Sequence, residues 1–245
     1  MKLKLKNNQG IDLHVELIKN SSNKVYILFH GMFGNSSQLH MIKTKQYLIK
    51  KKYSVITFDY SAHGKSKGIF TKQSLSTFLH DKDLVLNYAM KYFKEIYFFG
   101  VSFGAHLALL DASTNKKVKG IILFNPATNM INLALRKKTH KIYSNQTKKR
   151  NVGIFTKFKF VLEYLKHRIY NSCKSITCPV YVYHILNDPS VPVSQSKKLE
   201  YYIKSKKKFI FEKGSDHNLS KEMTNGIYLK KLLPDAINWI EKNKK

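Results

Sequence analysis

The chain opens on two short runs in which apolar and polar residues alternate, Lys2–Lys6 and Ile11–Leu17, separated by Asn7-Asn8-Gln9-Gly10. Period-two alternation around a turn of Asn and Gly predicts a β-hairpin with one solvated face. The pattern then changes. Val25–Phe29, Ser54–Phe58, Ile96–Phe99, Val118–Phe124, Val180–Leu186 and Phe209–Phe211 are continuous apolar runs, as expected of strands buried on both faces. Between them lie stretches with helical spacing: about 38–51, 74–93 (Leu75, Phe78, Leu79, Leu84, Val85, Tyr88), 103–111 and 194–204. An amphipathic helix over about 228–242 closes the chain, with Leu232, Leu233, Ile237, Trp239 and Ile240 on one face.

Buried strands alternating with helices predict an α/β fold, with a mostly parallel sheet covered on both faces and ligands at the carboxyl ends of its strands. One segment breaks the rhythm. From Asn125 to Cys173 the chain is too long for a single crossover helix. We read 125–173 as a cap inserted over the sheet's carboxyl edge, and 1–124 with 174–245 as one core. Internal repeats and Pro- or Gly-rich linkers are absent, so no independent second domain is expected.

Composition adds a charge problem. The 245 residues carry 44 Lys plus Arg against 15 Asp plus Glu, a formal charge of +29, and 43% are hydrophobic, including 15 Phe and 15 Tyr. The apolar content excludes a disordered chain. The charge alone would suggest a phosphate-rich partner or an anionic membrane. Against that, Arg136, Arg150 and Arg168 are the only arginines, and arginine is the residue that forks onto phosphates and guanines. The basic residues run from Lys2 to Lys245, which a genome-wide bias toward AT-rich codons explains better than a binding face. Specific nucleic-acid recognition is therefore not expected. Weak attraction to an anionic membrane or acyl carrier remains open through the clusters at 136–138 and 148–150. Cys173 and Cys178 are too few for a disulfide framework and read as reduced thiols. The N-terminus lacks an apolar run of signal-peptide length and no stretch is long enough to span a bilayer, so a cytoplasmic protein is expected.

The strongest chemical signal is Gly100-Val101-Ser102-Phe103-Gly104, directly after a strand and before a helix. A turn that tight needs small flanking residues, holds the Ser102 hydroxyl out at the sheet edge, and sets helix N–H groups beside a developing oxyanion. The alternative is a small-residue turn chosen only for close packing. A serine nucleophile needs a base, and the base needs an acid, here expected in the order Ser, Asp or Glu, His. His217 follows the Phe209–Phe211 strand and is the expected base. Asp188 follows the Val180–Leu186 strand and is the expected acid. Asp216 is a rival whose adjacency to His217 makes pairing awkward, and Asp59 reads as structural or substrate-proximal. Backbone N–H groups of Met32 and Phe103 are the expected oxyanion hole. Substrate contacts are expected from His30, Phe33, Phe155 and Phe158, with Phe160 also in the cap, although His30 reads as a hydrogen-bonded structural residue rather than a second base, and cap aromatics are as often simple packing. Neither a metal cluster nor a cofactor is called for.

With His30-Gly31-Met32-Phe33-Gly34, the block Asp59 to Ser66, Gly100 to Gly104, Asn187 to Pro192 and Asp216-His217 in place, the whole chain resembles the α/β-hydrolase superfamily of serine hydrolases. Cys178-Pro179 and Val191 to Ser196 are similar to the small carboxylesterases of the cinnamoyl/feruloyl-esterase and monoglyceride-lipase-like group. The resemblance implies that the inserted cap helps choose the substrate. Ala62 stands where such proteins usually have Gly, and the cap is unusually basic. The expected activity is serine carboxylic-ester hydrolysis of EC 3.1.1 type on a small or medium acyl ester. The alternatives are an acyl thioesterase, a monoacylglycerol or lysophospholipid lipase, and, in another class, a non-catalytic binder of polyanions or membrane surfaces on a hydrolase scaffold. The oligomeric state is left open.

Overall fold

The computed structural model describes residues 1–20, 23–135, 154–167 and 169–244, with backbone only at 134–135 and 154–158. The N-terminal hairpin forms as expected from β1 (Lys2–Lys6) and β2 (Asp12–Ile18). It is followed by β3 (Lys24–Phe29), β4 (Ser54–Phe58), β5 (Glu95–Val101), β6 (Val118–Phe124), β7 (Val180–Ile185) and β8 (Lys207–Glu212). All eight join one sheet in the order β1-β2-β4-β3-β5-β6-β7-β8. β1, β2 and β4 pair antiparallel, and every pair from β4 onward is parallel.

Period two within the inner strands assigns each residue to a face. Val25, Ile27 and Phe29 of β3, with Ile96 and Phe98 of β5 and Val180 and Val182 of β7, belong to one core. Tyr26 and Leu28, with Tyr97 and Phe99 and with Tyr181 and Tyr183, belong to the other. The first core is closed by α2 (Leu75–Tyr92) and α3 (Phe103–Thr114), and the second by α1 (Leu39–Lys50) through Met41 and Leu48. Ser74 caps α2 by accepting the Thr77 N–H at 3.3 Å. Both cysteines are buried and unpaired, and burial pushes each thiol up to about 12.

Within 125–173 the described elements are α4 (Met130–Leu135), α5 (Ile154–Lys166) and α6 (Ile169–Cys173). Ile169 and Cys173 pack into the first core, and Glu163 of α5 accepts the Ser76 N–H at the start of α2 (2.9 Å). After β7 come α7 (Ser194–Tyr202), α8 (Ser220–Thr224) and α9 (Leu233–Asn243). The closing helix forms as expected but opens on a π turn. Residues Tyr228–Leu232 form a π turn before α9, because Pro234 has no N–H to donate and is tolerated only in a first turn. No helix among the described residues is long and apolar enough to cross a membrane.

Candidate active site

β5 runs straight into α3 through Ser102, whose backbone is held at φ 54°, ψ −120°. A left-handed, non-glycine residue is strained and persists only where its surroundings over-determine it. Two glycines do so here by close approach. A Cβ on Gly100 would lie 2.8 Å from Ala105 Cα, and one on Gly104 would lie 2.3 Å from the Phe29 carbonyl oxygen and 2.5 Å from that of His30. The turn is also tied to the next strand: Ser102 N–H donates to Phe124 O (3.1 Å), and Ser102 O accepts from Ala127 N–H (3.0 Å).

Gly31, at the end of β3, packs against the same turn, where an added Cβ would sit 3.3 Å from Ser102 Cβ and 3.9 Å from its Oγ. The N–H groups of Met32 and Phe103 make no hydrogen bond among the described residues. Phe103 opens α3, so its N–H points out of the positive end of the helix dipole. Phe33 takes a left-handed backbone (φ 62°) and sets its ring 5.5 Å from that of Phe70.

Asp188 lies in the loop after β7, with its side chain fully shielded from solvent. Its Oδ1 accepts the N–H groups of Ser190 (2.7 Å) and Val191 (2.9 Å), and its Oδ2 accepts from His217 Nδ1 at 2.6 Å. That bond puts the proton on Nδ1 and leaves Nε2 with a lone pair. Asp216 is not the partner: its Oδ1 accepts from the N–H groups of Asn218 (2.9 Å) and Ser220 (3.1 Å), at the start of α8. Ser102 Oγ makes no hydrogen bond among the described residues, so the structure joins acid to base but not base to serine.

His30 is fully buried, with Nδ1 2.8 Å from the Gly31 carbonyl and Nε2 accepting the Tyr60 N–H at 3.3 Å. Burial, with His63 nearby, pushes its pKa down to about 3. Both ring nitrogens thus hold backbone, which gives His30 a scaffold contact. The side chains of Phe155 and Phe158 lie outside the described residues, as do the basic clusters at 136–138 and 148–150. Phe160 is described, with its ring 6.2 Å from Phe103. Asp59 is buried and accepts the N–H groups of Ser36 (2.6 Å) and Lys65 (2.8 Å), which ties two loops beside the site.

Sequence reasoning passed over His184. It is buried in β7, with Nδ1 2.6 Å from Ser196 Oγ, Nε2 3.0 Å from Val191 O and 3.6 Å from Asp188 Oδ2. A carbonyl only accepts, so Nε2 carries the proton, and burial first of all lowers the pKa of the ring. The available signal was a lone polar residue in an otherwise apolar strand. No group of three or more His, Cys, Asp or Glu among the described residues could hold a metal ion.

The fold is shared with structures of low sequence identity. Est1E of Butyrivibrio proteoclasticus, solved with ferulic acid bound, superposes with a TM-score of 0.75 at 22% identity, over 97% of this chain and 99% of that one. The Pyrococcus furiosus esterase Pf2001 gives 0.77 at 18% identity, covering 99% and 90%. Mouse alpha/beta hydrolase domain-containing protein 10 gives 0.71 at 20% identity, covering 95% and 99%. In sequence, the chain is 30% identical over 240 residues to the uncharacterized protein R595 of Acanthamoeba polyphaga mimivirus, spanning 88% of this chain and 75% of that protein. The family model for the serine aminopeptidase S33 group of hydrolases matches residues 20–168, and with the eight-stranded sheet and the strained serine turn it shows that the chain belongs to this family of α/β hydrolases.

Proposed function

We propose that the protein is a serine carboxylic-ester hydrolase working through an acyl-enzyme. The observation that carries this reading is the Asp188–His217 pair, 2.6 Å long, at the sheet edge where Ser102 is held in a strained elbow. Ser102 Oγ attacks the ester carbonyl while His217 Nε2 takes its proton. Asp188 fixes the imidazole tautomer and stabilises the imidazolium. The oxyanion accepts hydrogen bonds from Met32 and Phe103 N–H, and collapse expels the alcohol, protonated by His217. Water, deprotonated by His217, then attacks the acyl-enzyme and releases the acid. The attack needs a Ser102–His217 contact that the structure does not make; such bonds commonly tighten once substrate is in place.

Residues 125–173 fit the role of a cap that selects substrate, since α5 reaches Phe103 through Phe160. A cavity of about 280 Å³ at the base of this segment is lined by Thr128, Tyr164, Tyr170 and Tyr202, among others. Hydrolysis of p-nitrophenyl acetate by the wild type, abolished in Ser102→Ala and His217→Ala, is the expected result. A chain-length series of esters, acyl thioesters and aminoacyl anilides assigns the leaving group. Equal turnover by Ser102→Ala removes the proposal.

A further inference from the structure

Asn125 is the first residue after β6. It is fully buried, has a left-handed backbone (φ 46°), and uses every polar group that its side chain offers. Its N–H continues the parallel ladder by donating to Tyr183 O at 2.8 Å. The next rung would run from Ile185 N–H to the Asn125 carbonyl. The left-handed turn takes that carbonyl away, and Asn125 Oδ1 accepts the Ile185 N–H instead, at 2.9 Å. With Oδ1 so placed, Nδ2 donates to the main-chain carbonyl of His217 at 2.8 Å.

Three loops therefore meet at one amide. The serine turn is bonded on either side of Asn125, to Phe124 O and to Ala127 N–H. The acid's loop hangs from Ile185, whose carbonyl accepts the Asp188 N–H at 3.1 Å. Other hydrogen bonds of the His217 loop among the described residues run to Asn187 and Asp188 on the acid loop, to α8, or within the loop itself. Among the described residues, Asn125 alone ties that loop by a hydrogen bond to the end of β6, the strand beside the nucleophile's.

We propose that Asn125 is a positioning residue that sets His217 at working distance from Ser102, an inference resting on the serine-hydrolase reading above. Asparagine suits the place because it tolerates the left-handed region and offers an acceptor and a donor on one planar group. Misplacing a base by about 1 Å lowers turnover on the order of 100-fold.

The test uses Asn125→Gly, which keeps the left-handed backbone without strain and removes both bonds, and Asn125→Asp, which keeps the Ile185 acceptor and the shape but loses the donor. Each is assayed on p-nitrophenyl acetate at a temperature where circular dichroism shows it folded, and hydrogen exchange is followed at the amides of 214–219. The expected result is a fall in kcat of roughly 10- to 100-fold with KM within about twofold, and faster exchange in the 214–219 loop, joined in Asn125→Gly by the Ile185 amide. Asn125→Asp retains the ladder contact and the turn, so it reports even where the glycine variant does not fold. Folded variants with wild-type kcat, whatever their melting temperature, would overturn the proposal by making Asn125 merely structural. Should Ser102→Ala also retain full activity, it is the serine reading that fails; if Ser102→Ala is inactive and the Asn125 variants are not impaired, the positioning role alone fails.

Discussion

Replacing Gly104 by alanine tests whether close backbone approach builds the site. The new Cβ would lie 2.3 Å from the Phe29 carbonyl oxygen and 2.5 Å from that of His30, roughly 1 Å inside van der Waals contact. Both obstacles are main chain, so no rotamer change relieves them. The end of β3 or the first turn of α3 must move, and these carry the Met32 N–H on one side and Ser102 with the Phe103 N–H on the other. Overpacking of this kind costs about 1–3 kcal/mol. At about 2–4 °C per kcal/mol for a chain this long, melting falls by roughly 2–12 °C. A shift of about 1 Å between nucleophile and oxyanion donors should lower kcat/KM by about 100-fold. Gly120→Ala is the matched control. Its Cβ would meet Ile240 Cγ2 at 2.4 Å, against α9 and away from Ser102, so it should lower melting and leave kcat/KM unchanged. The assays are thermal melting by circular dichroism and ester hydrolysis at 25 °C. Wild-type activity in Gly104→Ala, or equal activity losses in the two variants, would refute the reasoning.

Asp188→Asn keeps the shape of the acid but removes the charge that stabilises the His217 imidazolium, so kcat should fall by about 10³- to 10⁴-fold in steady-state assays. Burial, followed by the charge of His217, pushes the pKa of His40 down to about 4 from the ordinary 6.5. Between those values the unfolded chain binds a proton at this position that the folded chain refuses, so stability is lost as pH falls from 6.5 toward 4. Urea titrations of His40→Gln should show that acid slope reduced by up to about 1.4 kcal/mol per pH unit. Lys82 forms an ion pair with Asp111 between α2 and α3, with side chains only 5% and 6% exposed. Lys82→Met alone should cost about 3–5 kcal/mol in urea unfolding, and adding Asp111→Leu should recover most of that loss.

The strands were legible because a sheet covered on both faces demands unbroken apolar runs. Ser54–Phe58 and Val118–Phe124 are as the pattern placed them, and the remaining strands with unbroken apolar runs differ from it by one or two residues at an end. The five-residue α8 and the three-residue turn Phe70–Lys72 are too short to show a helical period, and the π turn that precedes Pro234 leaves no mark in the apolar stripe of the last helix. At the site, chain order and position after a strand sufficed to bring Asp188 and His217 into contact. His30 was harder, since a histidine at a strand end reads alike whether its nitrogens face substrate or, as here, backbone. Asn125 and His184 carry no motif. Their importance lies in bonds to residues up to 92 positions away, which no local pattern encodes.

The central claim is that Ser102 is an activated nucleophile. Intact-mass spectrometry after treatment with a fluorophosphonate, followed by peptide mapping, tests it most directly. One adduct per chain, on Ser102, and none on Ser102→Ala is the predicted result. Labelling that persists in Ser102→Ala, or a wild type that takes up no reagent, would contradict it.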